Sequence, residues 1–301
     1  MSKISVVILT YNEELNLERC LQKIQILTKN IFIIDSFSND STLDIAKKYN
    51  CQVFQNKFLN HANQLNWAIK NVPFSGEWIL RLDADEYLTD SLIDEIKQKF
   101  PLISEDIHGV FFKRRVYFMN KWIRFGGYYP TKLLRAWRVG KAVCEQRWMD
   151  EHMKLIEGKS IQFQSDMIDE NAKNLHWWIG KHNDYATKEA IEHLNTKYNL
   201  LGSLEYVEGS LFGTQEQRKR WLKEKVYTVI PIGVRSFIYF LYRYILRLGF
   251  LDGFRGLLFH VLQGFWYRFL VDAKVYEIER KSKRAGLSIL EVLKKEYNLE
   301  L

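Results

Sequence analysis

A chain of 301 residues with 47% hydrophobic side chains has apolar material for one large domain or two small ones, which excludes a disordered or fibrous protein. Its three cysteines, Cys20, Cys51 and Cys144, lie far apart without CxxC spacing, so neither a disulfide framework nor a structural zinc site is expected and a reducing compartment is implied. The net charge of +8 is uneven, because residues 210–284 hold fifteen Lys/Arg against six Asp/Glu.

Residues 4–9 form an apolar run too short for the core of a signal peptide, which predicts a cytoplasmic protein. The β-branched run reads as a buried strand ending in the polar turn Thr10-Tyr11-Asn12-Glu13-Glu14. Residues 13–29 space Leu17, Leu21, Ile24 and Leu27 as an amphipathic helix. A second strand ends in Asp35-Ser36, before a Ser/Asn/Asp turn that can cap the next helix. A short strand at 51–55, a helix beginning near His61 and a strand over 77–87 follow. Such alternation predicts a mostly parallel α/β sheet with ligands at the carboxyl ends of its strands. Residues 109–123 read as strands or a hairpin, residues 128–152 as loop and strand rich in Arg and Trp, and the chain from His176 onward as mainly helical.

The sharpest chemical feature is Asp83-Ala84-Asp85-Glu86, two aspartates one residue apart at the end of an apolar strand. If the backbone turns there, both can face a divalent cation that also binds a diphosphate. The alternative is a solvated acidic turn. No HExxH is present, and His176 and His182 are six apart, which argues against a metallohydrolase. The first strand runs into Thr-Tyr-Asn-Glu-Glu instead of GxGxxG, which argues against a dinucleotide enzyme.

Taken together, SVVILTYNEE, IIDSFSNDST, QLNWA and WILRLDADEY resemble the family 2 glycosyltransferases of the GT-A fold over residues 3–155. The resemblance implies a Rossmann-like catalytic domain, a nucleotide-sugar donor linked to UDP, and Mg²⁺ or Mn²⁺. Thr10, Tyr11, Asn12, Glu14 and Asp35 correspond to base and ribose contacts, Gln64 and Asn66 to positions near the nucleotide, and Ala84 lies between the two aspartates. Asp85 corresponds to the metal ligand, and Asp83 to a residue near the ribose or the metal's water shell. Ser36 stands where many relatives carry a second Asp. Family members have a late acidic base that deprotonates an acceptor hydroxyl in an inverting displacement. Asp150-Glu151-His152 fits either reading frame, so Asp150 and Glu151 are both candidates; an exposed acidic pair is the alternative. Lys132, Arg135 and His152 are candidates for acceptor or phosphate contacts, against surface pairing or a structural histidine. Trp122, Trp137 and Trp148 could stack on sugars or fill a core.

The basic, aromatic tract over 221–276 has no uncharged stretch longer than the twelve residues 256–267, which argues against a spanning helix. As one helix it would gather Arg235, Arg243 and Arg247 on a cationic arc, with Phe237, Ile238 and Phe240 on the remainder, suited to an anionic membrane surface. The alternative is a helical subdomain; nucleic acid is excluded by the apolar content. HNDYATKEA and GFLDGFRGLLFHVLQGFWYRFLVDAKVYE, with Tyr185, Asp252, Gly253 and Lys274, resemble bacterial transferases that add glucose to the lipopolysaccharide inner core. The expected division is a catalytic domain over 1–190 and a membrane-associating helical region over 191–301. The expected reaction is hexose transfer, such as glucose from UDP-glucose, to a lipid-linked envelope saccharide. Capsule, exopolysaccharide or lipid-phosphate transfer and a non-catalytic sugar-nucleotide or membrane-binding module remain alternatives.

Overall fold

The computed structural model describes residues 4–145, 152–200 and 230–297, and the chain divides into two compact units, Met1–Lys173 and Asn174–Leu301. The first unit begins with β1 (Ile4–Thr10), α1 (Leu17–Ile24), β2 (Ile31–Asp35), α2 (Thr42–Lys48), β3 (Gln52–Gln55), α3 (His61–Asn71) and β4 (Trp78–Asp83). The first helix is shorter than its apolar spacing suggests, because residues 13–16 form a turn in which the Asn16 and Leu17 N–H groups bond the Glu13 carbonyl. Side-chain caps start α3, where Asn60 accepts from the Asn63 N–H at 2.7 Å.

Strands β1 to β4 are parallel in the order β3-β2-β1-β4. β1, β2 and β4 are buried on both faces because both faces are covered, whereas β3, at the edge, is polar and largely exposed. Ile4, Val6 and Ile8 of β1, Ile31 and Ile33 of β2, and Trp78, Leu80 and Leu82 of β4 pack with Leu17, Leu21 and Ile24 of α1. The alternate residues Val7, Phe32, Ile34 and Ile79 pack with Ala62, Leu65 and Ala68 of α3 on the other side. Chain order therefore runs outward from β1 to β3 and then crosses back to β4. This makes the gap beyond the ends of β1 and β4 a topological switch point, where open α/β sheets bind ligands.

The strand expected over 77–87 breaks in two. β4 stops at Asp83, and after the turn at Ala84 and Asp85 the chain begins β5 (Glu86–Leu88), which pairs with a different strand. After α4 (Asp90–Lys99) come β6 (Ile107–Phe118), β7 (Lys121–Ile123), β8 (Thr131–Arg138), β9 (Ala142–Cys144), β10 (Met153–Leu155) and β11 (Lys159–Glu170). The main sheet continues from β4 through β8, β6 and β11 to β5, with β7 beside β6, while β9 and β10 form a separate hairpin.

The second unit contains α5 (Leu175–Tyr198), α6 (Val234–Leu241), α7 (Gly253–Phe259), α8 (Tyr267–Ala285) and α9 (Ile289–Tyr297). Its core joins Ala186, Ala190 and Leu194 of α5 to Val271, Val275 and Ile278 of α8 and Val292 and Leu293 of α9. Within it, Glu189 accepts from Tyr267 Oη at 2.7 Å and from Arg268 at 2.6 Å. The helical run expected to carry three arginines on one arc covers Arg235 and Arg243 and closes at Arg247, but Arg235 lies inside the unit and shares no exposed arc with the others. α6 passes into a π turn at Tyr242–Leu246 and ends before a 3₁₀ turn at Gly249–Asp252. Arg235 is buried against Asp272, with Nε 2.8 Å from Oδ2, so its charge is spent inside the unit. Among the described residues no helix is long and apolar enough to cross a membrane.

A bulge in β11 between Gln162 and Asp166 interrupts its ladder to β6, and Glu95 of α4 takes up the displaced donors. Its carboxylate accepts from the Gln164 N–H at 3.0 Å, the Ser165 N–H at 2.8 Å and Lys99 Nζ at 2.6 Å. Burial opposes ionisation, but these bonds pull the Glu95 carboxyl down to about 2. Its folded value lies below the unfolded one of about 4.3, so its contribution is complete above that pH and is lost as pH falls toward 2. Glu95→Gln is expected to cost about 1.5–3 kcal/mol at neutral pH. Urea unfolding of both proteins across acidic pH should show the difference closing over that window.

Candidate functional site

The site is assembled where β1, β2 and β4 end. Thr10 pairs with Asp35 in the parallel ladder and Leu9 with Asp83, so three polar strand ends share one edge. Asp35 is fully buried. Its carboxylate accepts from Thr10 Oγ1 at 3.0 Å, from the N–H and hydroxyl of Ser38 and from Gln55 Nε2 at 3.4 Å. The carboxylate expected to touch the nucleotide is thus turned inward, where it fixes the loops after β1 and β2.

These loops are sewn together by side chains. The Asn12 N–H donates to Ser38 Oγ at 2.9 Å, and the Asn39 N–H donates back to Asn12 Oδ1 at 2.9 Å. The Glu13 N–H donates to Thr42 Oγ1 at 2.7 Å and the Glu14 N–H to Asp40 Oδ2 at 3.1 Å, while Glu14 Oε2 accepts from the Ser41 N–H. This stitching holds Asn12 at φ 54 and Phe37 at φ 62, left-handed conformations that cost a bulky residue free energy. Tyr11 and Phe37 are left exposed, at 59% and 57%. Gln64 is buried and donates to Ser36 Oγ at 3.1 Å and the Asn56 carbonyl at 3.2 Å, so it braces the strand ends from beneath instead of facing a ligand.

The acidic quartet divides by orientation. Asp83 lies between two guanidiniums, with Arg81 Nη2 3.2 Å from Oδ1 and Arg135 Nη2 3.4 Å from Oδ2; His61 Nε2 is 3.7 Å from Oδ1. Burial would raise the Asp83 carboxyl, but Arg81, Arg135 and His61 outweigh it and hold the group well below the usual carboxylate range. Glu86 is buried, accepts from the Asp83 N–H at 3.0 Å and pairs with Arg135. Burial pushes its carboxyl upward against the pull of Arg135, with Asp83 and Asp169 adding to the rise. The Ala84 methyl lies in the core, leaving only its backbone for a donor.

Asp85 points elsewhere. Its Oδ2 accepts from Asn171 Nδ2 at 2.8 Å, and its backbone carbonyl accepts from the Glu170 N–H. Nearby, Glu13 is paired with Lys173 at 2.8 Å and takes Asn16 Nδ2 at 2.7 Å; burial raises its carboxyl against these partners, with the negative charge of Asp85 adding to the effect.

A divalent cation fits this donor set in a limited way. Asp83 already shares its charge with two arginines. Asp85 offers a hard oxygen donor oriented by Asn171, with Oδ1 outside any hydrogen bond among the described residues. Among those residues no group of three or more His, Cys, Asp or Glu side chains could hold a metal ion. A cation here would therefore draw most of its ligands from diphosphate and water.

Other expected contacts are redistributed. Asn66 spends both ends of its amide on Cys144, donating to its carbonyl at 2.8 Å and accepting from its N–H at 2.9 Å, so it clamps β9 and is unavailable to a nucleotide. Arg135 is buried beneath Asp83 and Glu86, not open to an acceptor, whereas Lys132 on the same strand is exposed. His152 is half-buried, and its carbonyl accepts from the Glu145 N–H at 2.9 Å, next to the β9–β10 pairing. Asp150, Glu151 and Trp148 lie outside the described residues. Trp137 is core, and Trp122 packs under Arg115 and against Tyr129.

Sequence reasoning missed His61, Arg81, Asn171 and Lys173. Arg81 interrupts the apolar β4, the one available signal; Asn171 and Lys173 meet the site only through contacts more than eighty residues long.

The glycosyl transferase family 2 description matches residues 5–157 of this chain, half of its length, and the protein belongs to that family. It is a glycosyltransferase with the Rossmann-like GT-A sheet described above. An uncharacterized glycosyltransferase of Rickettsia typhi is 24% identical over 293 residues, covering 94% of this chain and 90% of that one. Another, from Rickettsia prowazekii, is 33% identical over 106 residues, 35% of this chain and 36% of that one. Among solved structures, glucosyl-3-phosphoglycerate synthase from Mycobacterium tuberculosis in complex with Mn²⁺, UDP and glucosyl-3-phosphoglycerate is 22% identical, over 38% of this chain and 44% of that one, with a TM-score of 0.32.

Removing Arg135 would leave Asp83 and Glu86 adjacent without their shared cation. Arg135→Met is expected to destabilise the protein by about 3–5 kcal/mol. Lys132→Met, on the exposed side of the same strand, should stay within about 0.5 kcal/mol; chemical denaturation at neutral pH compares them.

Proposed function

We propose that the protein transfers a hexose, such as glucose from UDP-glucose, with inversion to a lipid-linked saccharide of the cell envelope such as lipopolysaccharide core. In this reading it works as a peripheral protein on an anionic membrane surface facing the cytoplasm. The supporting observation is convergence: the ends of β1, β2 and β4 bring Thr10, Asp35 and Asp83 to one edge at the switch point, beside the half-buried Asp85.

The exposed Tyr11 and the loop around Asn12 and Glu14, stiffened by Asp35, receive the base and ribose. Asp83, kept ionised by its arginines, accepts a hydrogen bond from a ribose hydroxyl. Asp85, oriented by Asn171, holds the cation. A Mg²⁺ or Mn²⁺ ion bound there would supply positive charge against the departing diphosphate. Asp150 or Glu151 takes the proton of the acceptor hydroxyl as its oxygen bonds C1 and the bond from C1 to the diphosphate oxygen breaks, leaving the nucleoside diphosphate. Lys132 and His152 serve acceptor phosphate. The glucose and inner-core assignment is supported by the tail resemblance around Tyr185, Asp252 and Lys274.

A panel of nucleotide sugars with Mg²⁺ or Mn²⁺, read as released nucleoside diphosphate, tests the reading. Release should require the ion and fall by about 10²–10³-fold in Asp85→Ala. Release that needs no metal and survives this substitution would remove the proposed site.

A further inference from the structure

Residues 245–255 of the second unit form an elbow whose exposed side chains are apolar apart from two arginines. Ile245, Leu246, Leu248, Phe250, Leu251 and Phe254 are exposed at 44–73%, an unusual concentration of uncovered hydrophobic surface in eleven residues. The elbow is built, not frayed. The Arg247 N–H bonds the Tyr242 carbonyl at 2.9 Å, the Leu248 N–H that of Ile245 at 3.0 Å and the Leu251 N–H that of Leu248 at 3.0 Å. At its base Gly249 packs so closely that a Cβ would come within 2.5 Å of His260 Nε2, and a Cβ on Gly256 would collide with Asp252. Two glycines thus let the base close while the large side chains face outward.

Charge identifies what covers them. From residue 230 to 276 the acidic residues are Asp252 and Asp272, and both are buried, at 3% and 1%. Arg247 and Arg255 are exposed among the apolar side chains. A twofold contact between copies would confront this stretch, which bears exposed arginines and no exposed acid of its own, with its own image. An anionic leaflet supplies both complements, phosphate for the arginines and acyl chains for the apolar tip.

We propose that the 245–255 elbow is a membrane wedge. It inserts its apolar side chains below the headgroups of an anionic leaflet while Arg247 and Arg255 stay at the phosphate level. This deepens the membrane reading above and rests on it, but replaces a flat cationic helix with penetration by a pinned turn. The full-length protein should bind phosphatidylglycerol–phosphatidylcholine vesicles in flotation. Leu246→Ala with Phe254→Ala should weaken binding about a hundredfold, about tenfold for each apolar side chain lost from the interface, with donor hydrolysis and circular dichroism unchanged. Arg247→Gln with Arg255→Gln should remove the preference for anionic over pure phosphatidylcholine vesicles while leaving residual binding. Vesicle binding that survives the apolar pair overturns the wedge and leaves the membrane reading on another surface. No binding by the unaltered protein overturns both. A dimer in sedimentation that the apolar pair dissolves, without vesicle binding, assigns the elbow to a second copy instead.

Discussion

A carboxylate that stays ionised at the mouth of an apolar sheet needs cations close enough to replace the water it has lost. Asp83 meets that constraint through Arg81 on its own strand and Arg135 on the neighbouring one. The rest of the site follows. Arg135 also engages Glu86, so the start of β5 is drawn beneath the end of β4, and the intervening turn presents Asp85 outward to Asn171. The adjacent acids are therefore not equivalent: Asp83 and Glu86 are compensated by arginine, whereas Asp85 is held by the neutral amide of Asn171.

A second division of labour separates the groups that shape the edge from those that face outward. Asp35 and Gln64 are polar and buried and Asn66 is half-buried, and their hydrogen bonds run to loop and strand backbone or to one another's neighbours. Such fully satisfied networks stiffen a site without touching what it binds. Tyr11 and Phe37 are exposed by the same stitching, which holds Phe37 in a conformation the residue would not adopt on its own.

The parallel half of the sheet was legible because β1, β2 and β4 are apolar runs, broken only by Ser5 and Arg81, that stop abruptly at Thr10, Asp35 and Asp83. Orientation was not legible. Whether Asp83 or Asp85 faces outward depends on a two-residue turn and on Arg135, a distant arginine that reads in sequence like a surface group. The break between β4 and β5 was hidden because Glu86, Tyr87 and Leu88 continue an acceptable strand composition. In the tail, spacing alone placed Arg235 with Arg243 and Arg247. The pairing with Asp272, thirty-seven positions away, takes Arg235 out of that arc and into the interior of the unit.

The order of strands carries one more implication. β4 and β5 lie at opposite ends of the path β4-β8-β6-β11-β5, yet only Ala84 and Asp85 separate them in the chain. Laid flat, four inter-strand spacings would hold them roughly 19 Å apart, far beyond the reach of so short a connection. This half of the sheet must therefore coil until its two margins nearly meet, and Asp85 sits on the seam. The curvature of five strands is in that sense the caliper that sets where the outward carboxylate stands.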